Sequence, residues 1–129
     1  MSHVNENPLG VDGFEFVEFA APDGEMLHTL FMQMGFTPIA RHKQQQITLY
    51  RQGDINFLVN EQPDSFAAGF AAQHGPCCVG FALRVEDARE AYASTLANGA
   101  TSMAELSSLA LDAPRIEGIG GSILDLTDR

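Results

Sequence analysis

The stretch Gly13-Phe14-Glu15-Phe16-Val17-Glu18-Phe19-Ala20 decides the fold. Its three phenylalanines and Val17 give it strong β propensity. Strand side chains alternate between faces, so Glu15 shares a face with Val17 and Phe19, and Glu18 shares the other with Phe14 and Phe16. A central strand carrying carboxylates is unusual, so each acid is expected to be solvated, paired, or part of a site. A second stretch, Gly80-Phe81-Ala82-Leu83-Arg84-Val85, repeats the opening of the first. The segments after the two strands repeat each other as well.

Outward from Ala20, Ala21-Pro22-Asp23-Gly24 reads as a turn into a helix. Leu27, Leu30, Phe31 and Met34 fall at i, i+3, i+4 and i+7, one apolar helical face, and Gly35 ends the helix. Phe36 to Arg41 reads as a strand that Pro38 places at a sheet edge. His42 to Gln46 is a polar turn. Ile47 to Arg51 and Ile55 to Asn60 form a hairpin around Gln52-Gly53-Asp54. Pro63 and Asp64 or Ser65 open a short helix with Phe66, Ala67, Phe70 and Ala71 on its inner face, and Gly75-Pro76 stops it. After the strand Cys77 to Val85, Asp87 caps a helix, with Glu90 in a capping-box position. Its inner face is Ala88, Ala91, Tyr92, Thr95 and Leu96, and Gly99 closes it. Thr101 to Leu106 is expected as a strand, Ser107 to Ala113 as irregular and Pro114 to Ile119 as a weak strand. Gly120-Gly121 turns the chain into a last strand, Ser122 to Thr127.

Asp23 and Gly35 have the same spacing as Asp87 and Gly99, and a shift of 64 positions superposes both pairs. The same shift lays Val17 on Phe81, Phe19 on Leu83, Thr37 on Thr101, Ile39 on Met103 and Ala40 on Ala104. Each half then reads strand, helix, strand, strand, strand. The expected organisation is a polar, loosely held leader over residues 1–12 and one α+β domain over 13–129. Within it, 13–62 is a first βαβββ unit, 63–76 a connecting helix and 77–129 a second unit, with the long helices outside curved mixed sheets.

The 129 residues carry a net charge of −10 with seven Lys and Arg in total, which argues against nucleic acid and anionic membrane surfaces as partners. No apolar run reaches the length of a membrane span, and Met1 to Pro8 lacks the layout of a signal peptide. A cytoplasmic location is the resulting expectation. Cys77 and Cys78 are adjacent, which excludes a disulfide framework, and read as small, buried, reduced core residues.

Two βαβββ units in this length resemble the vicinal oxygen chelate superfamily, which includes glyoxalase I, bleomycin-resistance proteins and extradiol dioxygenases. Five segments carry a closer resemblance: Asn7-Pro8-Leu9-Gly10 with Gly13 to Ala20; Leu49 to Asn56; Asn60-Glu61; Phe70 to Pro76; and Ile116 to Gly121. Together they resemble the amino-terminal half of bacterial 4-hydroxyphenylpyruvate dioxygenases. That resemblance implies a parent enzyme that converts 4-hydroxyphenylpyruvate and O2 to homogentisate and CO2 in tyrosine catabolism. Its Fe(II) would be held in a carboxy-terminal half by two His and one Glu. This chain would then be a non-catalytic half, excised or truncated, without a cofactor of its own and partnered by the catalytic half. The rival expectation is a stand-alone, dimeric small-molecule-binding protein of the bleomycin-resistance kind.

The resemblance to the superfamily implies metal positions at approximately Glu15, Phe57, Gly80 and Asp125. Phe57 and Gly80 offer no ligand atom, so the expectation is a vestigial site with no metal, its two acids solvated or paired with Arg51 or Arg115. Tyr50, Arg51 and Asn56 form a polar cluster that could contact a ligand, with Arg51 otherwise ion-paired to Asp54, Glu15 or Glu18. Of the histidines, His3 lies in the leader, His28 is expected to face solvent, His42 sits in a turn, and His74 ends a helix where the macrodipole favours it. Phe66 and Phe70 are expected to be uncovered and to drive a homodimer.

Overall fold

A computed structural model describes residues 7–103, 114–118 and 122–128. The described elements run β1 (Phe14–Ala20), α1 (Gly24–Gln33), β2 (Thr37–Arg41), β3 (Ile47–Gln52), β4 (Ile55–Asn60), α2 (Phe66–His74), β5 (Cys77–Arg84), α3 (Ala88–Ala97), β6 (Arg115–Glu117) and β7 (Ile123–Thr127). The seven strands form one continuous mixed sheet in the order β2-β3-β4-β1-β5-β7-β6.

The two related strands sit together at the centre. β1 runs antiparallel to β5, and Val17 pairs with Phe81, the residue that the 64-position shift lays on it. On the outer side of β1 lies β4, parallel; on the outer side of β5 lies β7, also parallel. Each parallel strand then has an antiparallel neighbour, β3 on β4 and β6 on β7. The sheet is therefore two similar half-sheets joined along β1 and β5, the arrangement expected of paired βαβββ units.

The helices repeat the same local chemistry. Asp23 caps α1 by accepting from Glu25 N at 3.1 Å, and Asp87 caps α3 by accepting from Glu90 N at 3.1 Å. Each cap is worth about 1 kcal/mol. Gly35 (φ +95°) and Gly99 (φ +101°) follow the two helices in the left-handed region that glycine reaches without strain. Ser65, and not Asp64, caps α2.

Pairing and alternation define two sheet faces. One carries Val17, Phe19, Phe57 and Val59 toward α1, and Leu83 and Leu126 toward α3. Under α1 lies an aromatic cluster: Phe57 stacks on Phe36 (centroids 4.4 Å apart), and Phe19 and Phe31 meet it edge-on or tilted at 4.8 and 5.1 Å. The other face carries Phe16, Glu18, Leu58, Asn60, Gly80, Ala82 and Asp125, with Phe16, Leu58 and Ala82 packed on Ile47.

Several sequence expectations change. Leu27 and Phe31 are buried, but Leu30 and Met34 are 42% and 51% exposed. Both lie outside the cluster that Leu27 and Phe31 form with Phe36, Tyr50 and Val59. Leu96 on α3 is exposed as well. Phe66 and Phe70 are not uncovered; both are partly buried where Ala67 and Ala71 of α2 pack on Ala20 and Val79. Cys77 is half-buried and Cys78 exposed, because Cys78 lies near the start of β5, before the fully covered part of the strand. The described part of the leader is docked: Leu9 and Val11 pack beside α3, and Gly10 O accepts from Glu86 N. Of the expected strand Thr101 to Leu106, Ser102 forms a bridge to Ile116. Its remainder from residue 104, the irregular segment 107–113 and the turn at 120–121 lie outside the described residues.

Candidate functional site

The four residues expected at metal positions do not converge. Glu15 is half-buried, with Oε2 3.4 Å from Arg84 Nη1. Phe57 is a core side chain of the aromatic cluster on the α1 face. Gly80 sits between β1 and β7, where an added Cβ would lie 2.2 Å from the backbone oxygen of Ile123. Asp125 is buried on the opposite face from Phe57, with Arg115 Nε 2.9 Å from its Oδ1. Burial pushes the Asp125 carboxyl up to about 6, against the pull of Arg115. Among the described residues no three His, Cys, Asp or Glu groups come together to hold a metal ion.

The expected cluster of Tyr50, Arg51 and Asn56 divides. Arg51 Nε donates to Asn56 Oδ1 at 2.7 Å at the exposed hairpin, and none of the carboxylates considered for it is its partner. Neighbours on a strand point to opposite faces, and Tyr50 turns into the core.

Two polar groupings were not read from the sequence. The first lies on the inner face away from α1 and α3. Asn60 Nδ2 donates to Glu18 Oε2 at 2.9 Å, and with Arg115 and Asp125 these are the buried polar residues of the described chain. The alternation of β1 already placed Glu18 on that face; its partner sits 42 residues further on.

The second grouping lies beneath the first turn of α1. His28 Nδ1 hydrogen-bonds the Tyr50 hydroxyl, and His28 Nε2 lies 2.5 Å from Glu61 Oε1. His28 therefore does not face solvent: it stands on the side of α1 that leans over β3. Burial raises the Tyr50 phenol above its ordinary value, and the charges of Glu61 and Glu25 raise it further. Gly24 makes room for the Glu61 carboxylate, since a Cβ there would lie 2.4 Å from Oε2. Glu25, His28, Pro38, Ala40, Arg41, Thr48, Tyr50 and Glu61 line an open cleft of about 610 Å³.

Comparison with known proteins places this fold in a family. The family described as "Hydroxyphenylpyruvate dioxygenase, HPPD, N-terminal" matches residues 5–129. The chain is 50% identical over 127 residues to Hemolysin VllY of Vibrio vulnificus, covering 95% of this chain and 36% of that protein. It is 46% identical over 125 residues to a 4-hydroxyphenylpyruvate dioxygenase of a Pseudomonas species, covering 96% and 35%. Among solved structures it superposes on a xylose isomerase-like TIM barrel/4-hydroxyphenylpyruvate dioxygenase fusion protein with a TM-score of 0.83 at 32% identity, covering 92% of this chain and 20% of the other. The chain thus spans about a third of the length of the curated relatives it matches. No described helix is long and apolar enough to cross a membrane. The chain belongs to the hydroxyphenylpyruvate dioxygenase N-terminal domain family.

Proposed function

We propose that this chain serves as the non-catalytic amino-terminal domain of a 4-hydroxyphenylpyruvate dioxygenase-like enzyme of the cytoplasm. The parent converts 4-hydroxyphenylpyruvate and O2 to homogentisate and CO2 in tyrosine catabolism, with Fe(II) held outside this chain. The observation that carries the reading is the match of residues 5–129 to an amino-terminal domain, in relatives nearly three times as long. Phe57 in the core and Gly80 against β7 support a structural role, because neither position can present a ligand to iron. The domain acts by packing on the catalytic part of the polypeptide, and a homodimer belongs to the same proposal.

The test replaces the matching third of the Pseudomonas dioxygenase with this chain. The chimera should form homogentisate and retain iron, and the chain alone should do neither. Turnover with stoichiometric iron by the isolated chain would defeat the proposal, as would a folded chimera without activity.

A further inference from the structure

We propose that the cleft between the first turn of α1 and the β2–β3 ribbon binds a small zwitterion whose ammonium and carboxylate are separated by a short apolar chain. The cleft is a different place from the inner sheet face, and the inference is independent of the proposed dioxygenase role. Its volume of about 610 Å³ lies within the roughly 300–1,000 Å³ typical of small-molecule sites.

Four elements build it. Pro38 and Ala40 from β2, with Thr48 and Tyr50 from β3, form a floor facing the helix. Three of those four side chains are small, which leaves the space open. Glu25 and His28 from α1, with Glu61 just beyond β4, form one wall, and Arg41 stands at the end of β2.

The charges are unmatched in a particular way. Both ring nitrogens of His28 are engaged, by Tyr50 and Glu61, so the histidine is a fixed part of the wall. Glu61 Oε1 is committed to that bond. Glu25 and Arg41 carry opposite charges on the same cleft, yet among the described residues neither takes part in an ion pair, with each other or with a third group. The charges of Glu61 and Glu25 act on the Tyr50 phenol. Tyr50 pairs with Pro38, and Arg41 pairs with Thr48 further along the ribbon, so the negative end is beside Tyr50 and the positive end is further out. A ligand with an ammonium at Glu25 and Glu61, methylenes over Pro38 and Ala40, and a carboxylate at Arg41 complements all three regions. Arg41 lies three residues beyond Pro38 on β2, about 10 Å at about 3.3 Å per residue, so an ω-amino acid matches the span better than an α-amino acid.

The experiment titrates the isotope-labelled chain with 5-aminopentanoate, pentylammonium and pentanoate, following amide shifts. The zwitterion should bind most tightly, in the millimolar range, with shifts centred on Glu25 to His28, Arg41 and Thr48. Because exposed ion pairs are weak, each lost charge should cost about two- to fivefold in Kd. Glu25→Gln should weaken the zwitterion and pentylammonium and spare pentanoate; Arg41→Gln should weaken the zwitterion and pentanoate and spare pentylammonium. Both side chains are outside the packed core, and the same spectra report whether each variant is folded. Equal binding of all three probes, no shifts at 20 mM (about the weakest binding worth detecting), or the same response from both variants would overturn the proposal.

Discussion

Replacing Gly80 with alanine tests how closely β5 and β7 approach within the second half-sheet. The added methyl carbon would stand 2.2 Å from the Ile123 carbonyl oxygen and 3.0 Å from its carbonyl carbon. These are backbone atoms of β7, so no side-chain rotation relieves the overlap. Restoring ordinary contact requires β5 and β7 to separate locally by about 1 Å, from a normal spacing of about 4.8 Å. Such a shift weakens about two ladder hydrogen bonds at about 1 kcal/mol each and adds packing strain of about 1–3 kcal/mol. The unfolded chain gives back only about 0.4–1 kcal/mol through its lost glycine freedom. Strain wins, and the net loss should be about 2–4.5 kcal/mol, a large share of a domain's usual 5–15 kcal/mol. Urea unfolding measures it: the midpoint should fall by about 2 M at unchanged slope for a slope of about 1.5–2 kcal/mol/M. Gly69 provides the control, since it lies in α2 with nothing within 4 Å of an added Cβ. Gly69→Ala should stabilise by about 0.5–1 kcal/mol. A loss below about 1 kcal/mol in Gly80→Ala would refute the close approach of β7 to Gly80, because that is the size of an ordinary surface change.

Asp125 sets a pH dependence. Its carboxyl is raised from 3.8 to about 6, so between those values the folded chain binds the extra proton, and its contribution to stability is present below pH 4 and lost as pH rises through about 6. The difference between wild type and Asp125→Asn should therefore change by about 3 kcal/mol from pH 4 to pH 7, and parallel pH curves would contradict it. Tyr50→Phe keeps the ring in the core and removes the hydroxyl from His28, costing about 1–2 kcal/mol in urea unfolding. Asp87→Ala should lose about 1 kcal/mol of cap stabilisation, and Asp23→Ala should match it if the two helices are equivalent, read by circular dichroism melts. Phe57→Ala should cost about 3–5 kcal/mol, because it opens the middle of the aromatic cluster.

The features legible in the sequence are mostly local. Caps at Asp23 and Asp87 and glycines at Gly35 and Gly99 act within a few residues, so their spacing exposed the repeat before any contact was known. Pro38 marked β2 as an edge because a missing amide proton has an immediate meaning. The face of Glu18 came from alternation alone. Leu30 and Met34 were misassigned because periodicity gives the direction of a helical face but not the width of the layer beneath it. His28 was misassigned for a different reason: its partners are 22 and 33 residues away, on separate elements. No local pattern distinguishes a histidine aimed at Tyr50 from one aimed at water. The functional cluster of Tyr50, Arg51 and Asn56 failed on its own geometry, since residues 50 and 51 cannot face the same way in a strand.

The buried pairs of the inner face bear on register more than on stability. Isolated from water, Arg115 and Asp125 gain attraction but lose hydration, and the balance of a buried pair is commonly near zero. The aromatic cluster, with several fully or partly buried rings at about 1.5–3 kcal/mol each, outweighs such a pair several-fold. A slip of β7 by one residue changes the comparison. It would turn Asp125 to the α3 face, among Val85, Ala88 and Ala91, and bring an apolar neighbour opposite Arg115. Both groups would then lack their partner of the native register, a change that costs about 3–5 kcal/mol when a buried pair is broken. Asn60 and Glu18 oppose a slip of β4 against β1 in the same way, at the smaller cost of a lost buried hydrogen bond, about 1–3 kcal/mol. Within each half-sheet the central strand has a parallel neighbour, β4 on β1 and β7 on β5, and alternation alone fixes the register of such a pair only where one face is apolar and the other wet. Here both faces are covered, so the polar pairs carry the distinction between registers that exposure to water would otherwise supply.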